Sequence, residues 1–267
     1  MYLLQPRRAA TAASRAGRRR WQLAHPASRC VPGEGPAPAP GDPVVLVLPA
    51  RDEAATVADV VARAPARLAG RPVRCLVVDD GSTDATADLA AAAGAEVVRL
   101  GAGRGLGAAV RAGLAAAVER GAAVVAFCDA DGEYAPEELE RLVAPILRGE
   151  ADYVVGSRFA GSLERMLPHR RAGNRVLTAV LRVVARQALT DGQSGYRALS
   201  AAAAGQAEII HDYNYAQVLT LDLLAKGYRY REVPISYRFR QHGRSFVRLP
   251  IYLRRVVPAV WRELNAP

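Results

Sequence analysis

Asp129-Ala130-Asp131 places two carboxylates two residues apart, directly behind the apolar run 122–128. Hard divalent cations such as Mg²⁺ and Mn²⁺ take oxygen ligands and complete their shells with substrate phosphates, so this pair suits a metal-bound diphosphate. A cation held there would neutralise the diphosphate as a leaving group. Taken alone, the string fits a solvated loop or a helix N-cap equally well. Its setting is more informative. Arg51-Asp52-Glu53, Asp79-Asp80-Gly81-Ser82 and the glycine-rich stretch 101–107 each follow a short apolar run in the same way. Asp80 could accept a hydrogen bond from a nucleobase N–H, although Asp-Asp-Gly-Ser is also good turn chemistry. Gly103-x-Gly105-x-x-Ala108 matches a dinucleotide-binding spacing, but that fingerprint belongs after the first strand, where Pro49-Ala50-Arg51-Asp52 has no glycine. A sugar nucleotidyltransferase would also need a glycine-rich signature there, with a basic residue. His25, His169, His211 and His242 have no metal-ligand spacing.

The elements that must position these residues follow from periodicity. Buried strands are expected over residues 44–48, 73–78, 97–100, 122–128 and 153–155. Helices are expected over 53–66, 83–93 and 106–120, with Ser82 or Thr83 capping the second. A further helix starts at Pro136, a favoured position for proline, and runs to about Leu147 unless Pro145 ends it sooner. Alternating strands and helices predict an α/β fold, with a mostly parallel central sheet flanked by helices. Ligands of such sheets sit at the carboxyl ends of the strands, where all four motifs fall. One shared site follows.

Bulk properties narrow the class. The 267 residues are 51% hydrophobic, enough for a sizeable core. No apolar run approaches the 18 residues of a membrane span, and Tyr2-Leu3-Leu4 is too short for a signal peptide's apolar region. Cys30, Cys75 and Cys128 form no CxxC pair, and the last two sit in apolar runs as small hydrophobes. A reduced, cytoplasmic protein is expected. The net charge is +10, yet only Lys226 is a lysine, an arginine bias typical of GC-rich genomes. Residues 1–42 carry +5 and residues 226–267 carry +8, leaving −3 for the middle. A nucleic-acid-binding core is not supported. Residues 1–42, rich in Arg, Ala, Pro and Gly, are expected to be a disordered extension.

Read in order, 48–53, 77–84, 103–109 and 127–134, then Gly156-Ser157-Arg158 and Ser194-Gly195-Tyr196-Arg197, resemble family 2 glycosyltransferases of GT-A fold. Within them they resemble the dolichyl- or polyprenyl-phosphate mannose or glucose synthases, from about Val44 to Arg244. The resemblance implies a single GT-A domain over 43–245. It implies that Pro49, Arg51, Glu53, Val78 and Asp80 line the donor's base and ribose, with Ala130 and Glu133 beside the diphosphate. It also implies that Asp129 and Asp131 bind Mg²⁺ or Mn²⁺, with Asp131 catalytic. Arg158 matches a phosphate- or sugar-contacting arginine, and Arg240 one in a later loop that closes on the phosphates.

This chain departs from the pattern at Asp52, where Asn is usual, at Glu133, where Gln is frequent, and at Phe246, where Lys is frequent. Relatives carry an acid near the end of the segment 213–218, where this chain has Gln217 and Val218. A neutral hydroxyl acceptor needs a general base, for which Asp212 is the candidate; a phosphate acceptor is already an anion and needs none.

The last segment, 246–267, carries Leu249, Tyr252, Leu253, Val256, Val257, Val260 and Trp261 at helical spacing, with Arg248, Arg255 and Arg262 on another face. Such a basic amphipathic helix fits a membrane interface, and it fits packing on the protein's own sheet equally well. The expected activity is inverting, metal-dependent transfer of a sugar from a GDP- or UDP-sugar to a lipid phosphate, with peripheral contact at the cytoplasmic membrane face. Transfer to a small-molecule hydroxyl is the alternative, and an inactive nucleotide-sugar-binding module is the alternative of another class.

Overall fold

The computed structural model describes residues 38–239 and 249–265. Apolar β-branched runs make the first strands: β1 (Val44–Ala50), β3 (Arg71–Asp79), β4 (Glu96–Arg99) and β5 (Val124–Phe127). A two-residue β2 (Arg67–Leu68) pairs antiparallel with the start of β3. Between them lie α1 (Val57–Arg63), α2 (Thr86–Ala92) and α3 (Leu106–Glu119). The expected helix at 53–66 is shorter, because the Glu53 N–H bonds the Thr86 hydroxyl at 2.8 Å and the chain turns before Val57. Neither Ser82 nor Thr83 caps α2. Asp84 bonds Thr86 there instead, and Ser82 bonds Asp79.

After β5 a 3₁₀ turn, Pro136–Glu138, leads into α4 (Leu139–Leu147), which runs on through Pro145. There follow β6 (Tyr153–Leu163), α5 (Pro168–Ala185), β7 (Arg197–Ser200), α6 (Ala201–Gln206), α7 (Ala216–Ala225), β8 (Tyr230–Tyr237) and α8 (Leu249–Leu264).

The sheet runs β4-β3-β1-β5-β7-β6-β8, with β2 at the start of β3. β1 lies parallel to both β3 and β5, and β6 is parallel to β8. β7 runs antiparallel between β5 and β6. Its first residue, Arg197, therefore stands level with Phe127 of β5 and Val155 of β6. That reversal brings the loop before β7 to the same edge as the carboxyl ends of the parallel strands.

The core lies on both sheet faces. α1 and α4 cover one through Val57, Val60, Leu139 and Leu142; α3 and α7 cover the other through Val110, Leu114, Val218 and Leu219. Burying this much apolar surface is the main force holding the layers together. A smaller cluster of Leu181, Ala185, Leu221, Leu224, Val260 and Leu264 joins α5, α7 and α8.

Candidate active site

Register fixes the neighbours of the first strand ends: Pro49 pairs with Val78 and Ala50 with Asp79. Asp80 follows, buried, and its N–H bonds the Ala50 carbonyl at 2.9 Å. Its two carboxylate oxygens accept from the backbone N–H groups of Arg104, at 2.6 Å, and Gly105, at 2.8 Å. Asp80 thus holds the glycine-rich loop in front of α3, and the Arg51 guanidinium packs closely over Gly103. Gly105 has φ +100°, a backbone shape unfavourable for side chains, and a Cβ there would stand 2.6 Å from the Asp212 carbonyl. Asp52 bonds the Thr83 N–H at 2.7 Å, and the Thr56 hydroxyl donates to the Ala130 carbonyl at 2.8 Å. Glu53 lies in the same turn, its N–H already tied to Thr86. These bonds tie the first, second and fourth strand-end motifs into one structure.

Behind β5, Asp131 is buried and takes the Glu133 N–H on Oδ1 at 3.0 Å. Asp129 presses its Oδ2 against Gly195, whose N–H bonds the Tyr134 hydroxyl at 2.7 Å. Burial pushes the Tyr134 hydroxyl well above its ordinary value, so it stays a neutral phenol. Tyr134 also stacks edge-on against Tyr196 and Tyr237.

Asp129, Asp131 and Glu133 line a cavity of about 360 Å³. Its wall continues through Arg158, His169, Arg170 and Asn174. Met166, Leu167, Leu177 and Phe239 add an apolar stretch. The cavity lining therefore combines carboxylates with cationic and apolar side chains. Among the described residues no three His, Cys, Asp or Glu side chains gather into a metal-binding group. Two carboxylates on a cavity wall nevertheless fit a divalent ion that takes its other ligands from substrate phosphates and water.

Arg158 is buried and forms a two-pronged ion pair with Asp191: Nε to Oδ2 at 2.7 Å and Nη2 to Oδ1 at 2.9 Å. Arg197, fully buried, donates to the carbonyls of Gly192, Ser194 and Ala216, clamping the loop before β7 onto α7. Gln193, which lines the cavity, and Asp191 behind it lie outside the motifs read from the sequence, while Tyr134 and Arg197 lie inside them but were assigned no role. Ser194-Gly195-Tyr196-Arg197 gave the nearest signal, since it lies directly behind Asp191.

Asp212 is not among the cavity-lining residues. Its carboxylate is paired with Arg111 at 2.5 Å and its side chain is 60% exposed. Pro49, Arg51, Val78 and Asp80 gather at the neighbouring strand ends. Arg240 and Phe246 lie outside the described residues. Cys75, in β3, and Cys128, directly after β5, are free thiols; burial pushes Cys75 up to about 11 and Cys128 well above its ordinary range.

The family model for glycosyl transferase family 2 matches residues 45–205, from β1 into α6. The chain belongs to that family. Polyprenol monophosphomannose synthase of Mycolicibacterium smegmatis is 33% identical over 226 residues, covering 80% of this chain and 84% of that protein. Undecaprenyl-phosphate mannosyltransferase of Micrococcus luteus is 33% identical over 184 residues, covering 66% of this chain and 70% of that one. Glucosyl-3-phosphoglycerate synthase of Mycobacterium tuberculosis, crystallised with Mn²⁺, UDP and phosphoglyceric acid, superposes with a TM-score of 0.68 at 24% identity. That match covers 98% of this chain and 85% of the other, and it shares the GT-A fold. The family 2 enzyme described here is a glycosyltransferase, and it carries its strand-end motifs within the matched span.

Proposed function

We propose that this glycosyltransferase moves a sugar from a GDP- or UDP-linked donor to a polyprenyl- or dolichyl-type lipid phosphate, with inversion at the anomeric carbon. One observation carries the reading: a single cavity is lined by the carboxylates of Asp129 and Asp131 together with Arg158, His169 and Arg170 and the apolar Met166, Leu167, Leu177 and Phe239. The carboxylates suit a metal-bound donor diphosphate, and the cationic and apolar side chains suit a phosphate on an apolar chain. Two relatives named for polyprenol- and undecaprenyl-phosphate products or acceptors support the same choice.

Asp129 and Asp131 would hold Mg²⁺ or Mn²⁺ together with the donor diphosphate. When bound, that ion supplies charge neutralisation for the departing nucleotide. Asp80 and Arg51 would shape the donor's base-and-ribose end through the loop 101–105, with Pro49, Val78 and Glu53 alongside. Ala130 and Glu133 would flank the diphosphate, and Arg240 would close on it. Arg158 and Arg170 would orient the acceptor phosphate, whose oxygen attacks the face opposite the leaving group. An anionic oxygen needs no base. That accords with Asp212, the base candidate read from the sequence, being tied to Arg111 outside the cavity lining.

Peripheral membrane contact belongs to the same reading. α8 turns Val257 and Trp261 outward, at 59% and 66% exposure, beside the exposed Arg254 and Arg262. Such aromatic and basic composition suits an interface helix. α5, which lines the cavity, leaves Val176, Val180 and Val183 exposed. Among the described residues no helix is long and apolar enough to cross a membrane.

The test is transfer of labelled sugar from GDP- and UDP-sugars into an organic-extractable product with short polyprenyl phosphate and Mg²⁺. Labelled lipid that disappears with chelator is the expected result. Label passing only to a small hydroxyl compound would sink the lipid-phosphate reading, and donor binding with no turnover toward any acceptor would sink the enzyme mechanism.

A further inference from the structure

Arg158 reaches the cavity wall with much of its hydrogen-bonding capacity already committed. Nε and Nη2 donate to the two oxygens of Asp191, and the Asp191 Oδ2 also takes the Arg158 backbone N–H at 3.1 Å. The Tyr237 ring lies 5.3 Å from the guanidinium carbon and the Phe159 ring 6.0 Å from it. Nη1 is the end left over: among the described residues nothing accepts from it. Asp191 itself is completely buried, is absent from the cavity lining and takes the Gln193 N–H on Oδ1.

The carboxylate is in turn fixed from behind. Glu232 on β8 accepts the backbone N–H of Asp191 at 3.1 Å and that of Thr190 at 2.8 Å. The Thr190 hydroxyl meets the Ser157 hydroxyl at 2.6 Å, one residue before Arg158. Two chain segments that are distant in sequence are thus joined independently of the ion pair. A buried ion pair is poor evidence of a stabilising role, because desolvation offsets most of the attraction. What this pair does provide is direction: a planar fork held along one edge presents its remaining donors at a fixed angle. Because the carboxylate offsets the charge of Arg158, the pair adds orientation rather than charge.

We infer that Asp191 is a positioning residue for the transfer reaction, holding Arg158 so that its Nη1 end meets the phosphate of the acceptor. The inference rests on the lipid-phosphate reading given above. Asp191 touches no substrate; all of its effect passes through Arg158.

The experiment is a double-mutant cycle in the full chain: wild type, Asp191→Asn, Arg158→Gln and the double variant. Each is assayed for sugar transfer to short polyprenyl phosphate and for slow hydrolysis of the nucleotide sugar. Asn matches Asp in size but cannot accept both guanidinium bonds as a carboxylate does. Losing a partner that orients a site residue costs about 10–100-fold. Asp191→Asn is therefore expected to lower kcat/KM for the lipid phosphate by that factor, leaving the donor KM and the hydrolysis rate within about twofold of wild type. In the Arg158→Gln background it should have no further effect, since groups acting through one contact are non-additive. Asp191→Glu, which keeps the carboxylate, should recover part of the rate and serves if the Asn variant is poorly folded.

An equal loss in both backgrounds, a loss confined to the donor KM, or slowed hydrolysis overturns the inference alone. A wild-type chain that hydrolyses the donor but transfers nothing to lipid phosphate overturns the acceptor reading and the inference with it.

Discussion

Asp129 and Asp131 owe their proximity to a turn, but their aim depends on a residue 64 positions away from Asp131. A Cβ on Gly195 would stand 2.9 Å from Asp129 Oδ2 and 3.2 Å from the Tyr134 ring, so the carboxylate and the glycine fit only because the side chain is absent. Gly195→Ala should therefore move the Asp129 carboxylate without opening the core. A displacement near 1 Å at a reacting site costs on the order of 100-fold in rate. Steady-state turnover beside a native circular-dichroism spectrum would check this, and unchanged turnover would refute the close-packing argument. Asp131→Ala removes a proposed cation ligand and should lower turnover by about 10³, with Mn²⁺ titration showing weaker metal dependence; full activity would refute the ligand role. The strand-end placement of these carboxylates was legible in the sequence because each follows directly on an apolar run. Asp191 and the partners of Tyr134 were not legible, since they are set by the antiparallel insertion of β7 and no local spacing reports that.

At the scale of elements, periodicity found β1, α3 and β5 nearly in place, because each is a single apolar run or stripe. β6 is the larger miss. Expected over 153–155, it extends from Tyr153 to Leu163 by pairing with β8, with an irregularity between Ser157 and Ser162. Pairing with a strand some 75 residues away leaves no trace in a short window. Pro145 did not end α4, and the helix's buried residues on both sides, Leu142 and Ile146, keep the stripe continuous. Leu142 is fully buried in the core that covers β5, so Leu142→Ala should cost about 3 kcal/mol in urea unfolding.

A pH effect belongs to the turn before α4. There the Arg63 guanidinium, bonded at 2.7 Å, holds the Glu137 carboxyl below its ordinary value. A depressed folded value favours the ionised form. The stabilisation is thus present at neutral pH and lost as the pH falls below about 4, the unfolded glutamate range. The pair is half exposed, so screening limits it to about 0.5 kcal/mol. Melting temperatures of wild type and Glu137→Gln should differ at pH 7 and converge near pH 3. A gap that persists in acid would remove Glu137 from this account.

At the scale of the whole molecule, charge and exposed apolar surface bear on the same question, how the enzyme would meet the lipid phosphate proposed as its acceptor. The apolar stripe read along the last segment divides in the structure. Val256 and Ala259 are buried, with Val260 and Leu264 packed in the cluster that joins α8 to α7 and α5, while Val257 and Trp261 point outward. Self-packing accounts for one side of the helix only, and the other side is exposed. The exposed side carries Arg254 and Arg262 beside Trp261, and the +8 net charge over 226–267 favours an anionic surface. Trp261→Ser with Val257→Ser removes exposed apolar area only, so folding should be unchanged. The double variant should sediment with anionic phosphatidylglycerol vesicles at least tenfold less than wild type at equal lipid. The loss should be greater than on neutral vesicles, where the charge contributes little. Transfer to a short, water-soluble polyprenyl phosphate should stay near wild type while transfer to a long chain embedded in those vesicles falls, because only the second reaction needs the surface. Equal sedimentation of variant and wild type would mean that this face of α8 serves something other than the bilayer.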